Sequence, residues 1–251
     1  MKMNLEDIAQ AMVAPGKGIL AADESTGTIK KRFDSIGIES TFDHRRDYRQ
    51  LLFTTDGAED YISGVILFEE TLEQCADDGM PLPEVLARQG IVPGIKVDKG
   101  KGPLANAPGD QITYGLDGLA GRLQRYKTLG ARFAKWREVY SIEKHVPTQH
   151  GIEANAEMLA RYAAVCQEEG LVPIVEPEVL MDGDHDIDRH AEVTEAVQRE
   201  VFAALSRHNV VLELMILKPN MILPGKDKRK APPEEVAEPF TIMLWGITTD
   251  K

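Results

Sequence analysis

The sequence predicts an α/β protein of the (β/α)8 TIM-barrel type, and three observations carry that reading. Short apolar runs rich in Val and Ile alternate with longer amphipathic stretches, the pattern of repeated βα units around a parallel sheet. Every run has ionisable residues in it or at its C-terminal end. No glycine-rich dinucleotide fingerprint follows the first run, where Ala21-Ala22-Asp23-Glu24-Ser25-Thr26-Gly27 has the wrong spacing, so an open doubly wound sheet is disfavoured.

Six strands are visible, over residues 18–23, 65–70, 92–98, 133–139, 172–178 and 214–220. Strands buried on both faces read as continuous apolar runs, as these do. Helical patterns fall between them at 117–129, 152–169 and 188–208, the last with Val193, Val197, Val201, Ala204 and Leu205 along one stripe. The run ends carry Asp23 with Glu24, Glu69 with Glu70, Lys96 with Asp98, Lys135 with Arg137, Glu176 with Glu178, and Lys218. Side chains two apart on a strand point the same way, and in a barrel the strand ends converge on one mouth. Lys96 and Asp98, Lys135 and Arg137, Glu176 and Glu178, and Lys218 and Asn220 are therefore expected to share directions. So many charges aimed into an apolar barrel are costly unless they serve a site.

Composition narrows the partners. The 251 residues, 43% hydrophobic and 28% charged, are enough for one large domain with a sizeable core. A formal net charge of -12 argues against nucleic acid and against an anionic membrane surface, so an anionic ligand must meet locally concentrated lysines. Cys75 and Cys166 lie in helix-like segments without CxxC or Cys/His metal spacing, which points to a reducing cytoplasm. Residues 1–10 carry Glu6 and Asp7 and no long apolar run, unlike a signal peptide or a membrane span.

Lys218 is the first candidate for chemistry. It ends the run Leu214-Met215-Ile216-Leu217, where desolvation and cationic neighbours would lower its pKa and make a nucleophilic amine. The plainer alternative is a strand-end lysine reaching for water.

Five motifs in order decide between these. Gly18-Ile19-Leu20-Ala21-Ala22-Asp23-Glu24-Ser25, Gly94-Ile95-Lys96-Val97-Asp98-Lys99, Phe133-Ala134-Lys135-Trp136-Arg137, Val175-Glu176-Pro177-Glu178 and Leu217-Lys218-Pro219-Asn220-Met221 resemble class I fructose-bisphosphate aldolase. The resemblance implies metal-independent Schiff-base chemistry without a cofactor: reversible cleavage of fructose 1,6-bisphosphate to dihydroxyacetone phosphate and glyceraldehyde 3-phosphate, in glycolysis and its reverse. It makes Lys218 the imine lysine and Lys135 the cation that helps keep that amine unprotonated. It makes Glu176, raised in pKa by burial, the acid/base of imine formation, and Asp23 the group that takes the C4 hydroxyl proton. Glu178 is expected to hold Lys218 or Lys135 by hydrogen bonding. Lys96, Arg137, Arg45 and Arg32 match positions lining the substrate channel, and Ser25 and Thr26 could donate hydroxyls to the sugar phosphate. The family also implies a homotetramer.

The matching pattern covers residues 1–238 as a partial barrel and leaves 239–251 as a divergent tail. Two further strands, with a Ser-Gly-Gly phosphate loop and a second phosphate-binding arginine, are not recognisable. In their place the segment from Pro239 to Lys251 reads as β-prone, the form of a truncated or frame-shifted copy. An inactive fragment of the family and a non-catalytic scaffold stay open as alternatives to an aldolase. Three further features have weak claims. Asp182-Gly183-Asp184-His185-Asp186 has the donors of a hard-cation site but reads as a connecting loop, and no metal is expected. Residues 226–230 form a basic run that reads as a solvated loop before a helix start. Trp136 should point away from the mouth and pack between strand and helix.

Overall fold

The computed structural model describes residues 3–249. In chain order the elements are α1 (Leu5–Met12), β1 (Gly18–Ala22), α2 (Thr26–Asp34), α3 (Phe42–Phe53), α4 (Ala58–Tyr61), β2 (Ile62–Leu67), α5 (Glu69–Leu72), α6 (Leu82–Arg88) and β3 (Val92–Lys96). There follow β4 (Lys101–Pro103), β5 (Gln111–Thr113), α7 (Leu119–Thr128), β6 (Phe133–Tyr140), α8 (Gln149–Glu168), β7 (Val172–Val179), α9 (Ile187–Arg207), β8 (Ile216–Leu217) and α10 (Pro233–Thr249). Six strands form one parallel sheet in the order β1-β2-β3-β6-β7-β8, and β4 and β5 make a separate antiparallel hairpin. The sheet is an arc of the (β/α)8 barrel, and its six strands overlap the six apolar runs of the sequence, although β2 starts three residues before its run and ends at Leu67, so that Glu69 and Glu70 open α5 instead of ending a strand.

Two apolar clusters divide the work. On the concave side Ile66, Val92, Phe133, Val172 and Ile174 pack against Ile8, Ala9 and Met12 of α1, which closes the N-terminal end of the arc. Ser63 fixes this plug by donating to the Met12 carbonyl at 2.6 Å. The Phe133 ring fits only because two neighbouring strands carry glycine: a Cβ at Gly94 would come within 2.2 Å of it and one at Gly64 within 3.1 Å. On the convex side Val65, Ile95 and Val97 join Leu82 and Leu86 of α6 in the larger cluster, and Trp136, Val175 and Val179 of β6 and β7 lie beneath the long helices α8 and α9. Trp136 is fully buried and stacks on Tyr162 of α8 with ring centroids 5.5 Å apart, as the strand alternation requires.

Helix starts follow local chemistry. Thr148 caps α8 and Asp186 caps α9, each side chain accepting the backbone N–H of the third helical residue.

The chain differs from the sequence reading in three places. The β-prone tail is helical: α10 opens at Pro233 with Glu234 and Glu235 in its first turn, and Glu235 pairs with Arg229 at 2.9 Å. Val236, Phe240 and Met243 recur at helical spacing, and Met243 is buried while the other two are half-buried. A strand there would need a partner edge, and a helix satisfies its own backbone. Asp250 and Lys251, the end of the expected strand, lie outside the described residues, as do Met1 and Lys2. The last sheet strand is also shorter than expected, two residues preceded by a 3-10 turn at Leu212–Leu214. Cys75, expected in a helix, forms a bridge to Pro81 beyond α5 and is exposed, whereas Cys166 is buried in α8. The basic run 226–230 is an exposed turn and loop leading into α10, as anticipated.

Candidate active site

Four side chains meet just past the ends of β1 and β8, with Lys135 third in β6 and Glu176 fifth in β7. Lys135 donates to Asp23 Oδ2 at 3.0 Å and lies 2.9 Å from Glu176 Oε2. Lys218 donates to the other oxygen of the same carboxylate, Glu176 Oε1. Backbone pairing fixes this meeting: Lys218 N–H donates to the Val175 carbonyl at 2.9 Å, which sets the lysine beside Glu176. Burial pulls the pKa of the Lys135 ammonium down, but Asp23 and Glu176 outweigh it and hold the pKa above the ordinary lysine value.

Lys218 departs from expectation in its surroundings. Its side chain is 46% exposed while that of Glu176 is 5% exposed, so dryness is not its condition. The short β8 delivers it to the rim, and what distinguishes it is the buried acid it touches. Lys135 stands across the Glu176 carboxylate from it, on the opposite oxygen, rather than as a bare neighbouring cation.

Glu178 also has a different partner. It accepts from Arg137, not from Lys218 or Lys135. The parallel register explains this: Lys135 stands opposite Ile174 and reaches Glu176 two residues on, and Arg137 stands opposite Glu176 and reaches Glu178 by the same stagger. Burial opposes the Arg137 charge, but the Glu178 carboxylate prevails and holds its pKa above the usual value.

The other predicted cations line the same end, each matched to an acid of this chain. Lys96 pairs with Asp98 as their shared direction requires. Arg45 on α3 binds Glu70 through two hydrogen bonds of 2.7 Å. Arg32 on α2 pairs with Glu24 and leaves most of its side chain exposed. Ser25 occupies the N-cap position of α2, with its hydroxyl 3.1 Å from that of Thr28, and Thr26 is the first helical residue.

Sequence reasoning missed three residues here. Arg49, 3% exposed, reaches Glu24 from the same face of α3 as Arg45, and their spacing of four residues was a usable signal. Lys99 binds Glu69 at 2.5 Å. Glu138, fully buried on the outer face of β6, had no signal beyond being an acid in a buried strand.

The loop 182–186 uses its groups structurally. Asp182 binds Lys226 at 2.7 Å, Asp186 caps α9, and the His185 ring stacks on that of His190 with centroids 5.2 Å apart. His190 is wholly buried and its ring nitrogen lies 3.3 Å from the Thr194 hydroxyl. Burial, then the facing His185, push its pKa down to about 4. Among the described residues no group of three or more His, Cys, Asp or Glu side chains could hold a metal ion. No helix among them is long and apolar enough to cross a membrane.

A barrel mouth that sets a lysine amine against a buried acid, within a ring of cations, has the parts of a carbon–carbon lyase for anionic carbonyl compounds. The profile of the family Fructose-bisphosphate aldolase class-I matches residues 4–246. The chain belongs to the class I fructose-bisphosphate aldolase family, the lyases that reversibly cleave fructose 1,6-bisphosphate in glycolysis. A probable fructose-bisphosphate aldolase class 1 of Xanthomonas campestris pv. campestris is 59% identical over 241 residues, 96% of this chain and 72% of the relative. The fructose-bisphosphate aldolase of Drosophila melanogaster is 56% identical over 93% of this chain and 65% of its own length. A fructose-bisphosphate aldolase from Plasmodium falciparum, solved in complex with TRAP and a small-molecule inhibitor, superposes with a TM-score of 0.94 at 49% identity. That likeness covers 96% of this chain and 70% of the solved one.

Proposed function

We propose that Lys218 forms the imine with the substrate ketone, that Glu176 exchanges protons during carbinolamine formation and dehydration, and that Asp23 accepts the C4 hydroxyl proton as the bond breaks. The observation that carries this reading is the continuous contact Lys218 to Glu176 to Lys135 to Asp23, which joins an exposed amine to two shielded acids. Cleavage leaves a carbanion beside the former ketone, and a protonated imine stores that charge as a neutral enamine. The exposure of Lys218 gives a ketone access to the amine, while the burial of Glu176 keeps the acid where the departing hydroxyl will be. Lys135 serves both acids at once, by charge and by position.

The substrate is a sugar phosphate. Lys96 and Arg137 are its nearest cationic partners on the strands, with Arg45, Arg32 and the Ser25 hydroxyl at the helix side. Glu178 contributes by orienting Arg137. The reading takes residues 1–238 as the barrel domain and 239–251 as a separate tail segment. It takes the assembly to be the homotetramer that the family resemblance implies, in the cytoplasm, the compartment named for the Arabidopsis thaliana relative called fructose-bisphosphate aldolase 5, cytosolic.

Borohydride reduction in the presence of dihydroxyacetone phosphate, followed by peptide mass analysis, tests the assignment. The expected result is one adduct on the peptide containing Lys218, abolished in Lys218→Met. A folded protein that gives no adduct, or an adduct on another lysine, overturns it.

A further inference from the structure

Glu138 lies outside the cluster that the reaction needs, yet it is fully buried and its two oxygens hold two different parts of the fold. Oε1 accepts the Trp136 indole N–H at 2.8 Å, and Oε2 accepts the backbone N–H of Thr113 at 3.2 Å. Thr113 ends β5, and its hydroxyl donates at 3.0 Å to the carbonyl of Arg137. The hairpin of β4 and β5 is thereby fastened to β6 at the two residues that carry Arg137 and Glu138. Across the hairpin Thr113 stands opposite Lys101, which sits within electrostatic range of Arg137 and Glu178. Trp136, the other group Glu138 holds, follows Lys135 directly in the chain.

We propose that Glu138 is a positioning residue for the aldolase reaction: from the outer face of β6 it pins the hairpin and so sets Arg137 and Lys101 against the anionic end of the substrate. This rests on the reading of Arg137 as a substrate-binding cation. The logic is geometric. Two N–H donors converge on one carboxylate in a dry site, so each oxygen is committed, and replacing either acceptor leaves a buried donor facing a non-acceptor. The groups around it reinforce a dependence on pH. Asp98 at the end of β3 acts on Glu138 by charge. Tyr140 on the same strand, Asp110 beside β5, Tyr162 with Cys166 on α8 and, behind Tyr140, Glu200 on α9 are acidic groups of the elements packed there, and Lys101 on β4 and Arg137 on β6 are the cations. Burial pushes the Glu138 carboxyl up to about 7, against the bonds from Thr113 and Trp136. Protonation replaces one acceptor by a donor and loosens the hairpin as the pH falls through that value.

The test uses the full chain and two readouts. Hydrogen exchange of peptides covering 101–113 reports the hairpin, and the dihydroxyacetone phosphate concentration needed for half-maximal borohydride trapping reports anion binding. In Glu138→Gln the hairpin should exchange about tenfold faster, as expected for one lost buried hydrogen bond. The half-saturating concentration should rise by a similar factor, with the trapped fraction at saturation unchanged. Between pH 8 and pH 6 the parent hairpin should lose protection, once exchange is corrected for its intrinsic pH dependence, and its half-saturating concentration should rise more steeply than that of Glu138→Gln, whose hairpin protection should stay constant. Unchanged exchange overturns the proposal, and so does faster exchange with unaltered half-saturation and pH course. Arg137→Ala separates the two readings: if it leaves half-saturation alone while Glu138→Gln shifts it, the Arg137 assignment falls and the pinning role stands. If Glu138→Gln does not fold, Thr113→Val removes the second fastening of the hairpin, the hydroxyl bond to the Arg137 carbonyl, and should raise exchange and half-saturation while keeping the pH course, because Glu138 and the Thr113 N–H remain; unchanged exchange and half-saturation overturn the proposal.

Discussion

Replacing Lys135 by Met tests the central ion cluster most directly, because the two side chains are similar in length and the change removes charge with little loss of volume. Lys135 stands 3.0 Å from Asp23 and 2.9 Å from Glu176, and the three side chains are 7%, 12% and 5% exposed. At an effective dielectric of about 20, each contact is a gross attraction of roughly 5.5 kcal/mol, most of which offsets the cost of taking the charges out of water. What the substitution exposes is that cost. Glu176 keeps Lys218, but Asp23 loses the one cation it is seen to bind, and stranding a buried charge in this way costs about 3–5 kcal/mol. Urea unfolding of parent and variant at pH 7.5, followed by tryptophan fluorescence and circular dichroism, measures the difference. A loss below about 1 kcal/mol would refute the reasoning, since the cluster would then be hydrated and its pairs no stronger than surface ones. The sign of the pH dependence is fixed as well: the pKa of Lys135 is raised in the fold, so its contribution is complete below the ordinary lysine value and fades at higher pH.

Two further outcomes follow from the packing. Gly94→Ala places a methyl group into the Phe133 ring, and overpacking of this kind should cost about 1–3 kcal/mol; Phe133→Leu in the same chain should recover part of it. A urea midpoint within error of the parent would contradict that contact. His190, with its pKa depressed to about 4, is neutral in the fold and takes up a proton on unfolding, so stability should fall as the pH drops from about 6.5 towards 4. That part of the acid sensitivity, of order 3 kcal/mol, should vanish in a His190→Phe variant, and an unchanged stability–pH slope over that interval would count against it.

Much of the barrel was legible because parallel strands covered on both faces must be apolar without interruption. All six sheet strands overlap such runs, though β2 begins three residues before its own. The pairing of Lys96 with Asp98 was legible too, since a period of two places both side chains on one face. What one strand's sequence cannot carry is its stagger against the next, and Glu178 was therefore given the wrong partner although its direction was right. The exposure of Lys218 was hidden for a related reason: the run 214–220 looks like a full strand, but only Ile216 and Leu217 pair. The hairpin strands are three residues each and rich in Gly, Pro and Asn around them, below the length at which alternation is readable. In α10 the β-branched and aromatic content outweighed a helical stripe that Val236, Phe240 and Met243 do form.

The mouth is an ion exchanger held in its inner-salt form. A phosphate that takes Arg137 must evict Glu178, and one that takes Lys96 must evict Asp98. Under the proposed roles, entry of a doubly charged ester adds negative charge while the displaced carboxylates stay tethered at the rim, so the gain must come from bidentate fit. A neutral sugar has nothing to offer in the exchange and leaves the inner salts closed. If Lys96 and Arg137 bind the phosphates as proposed, discrimination against unphosphorylated sugars resides in the acids of the rim as much as in its bases.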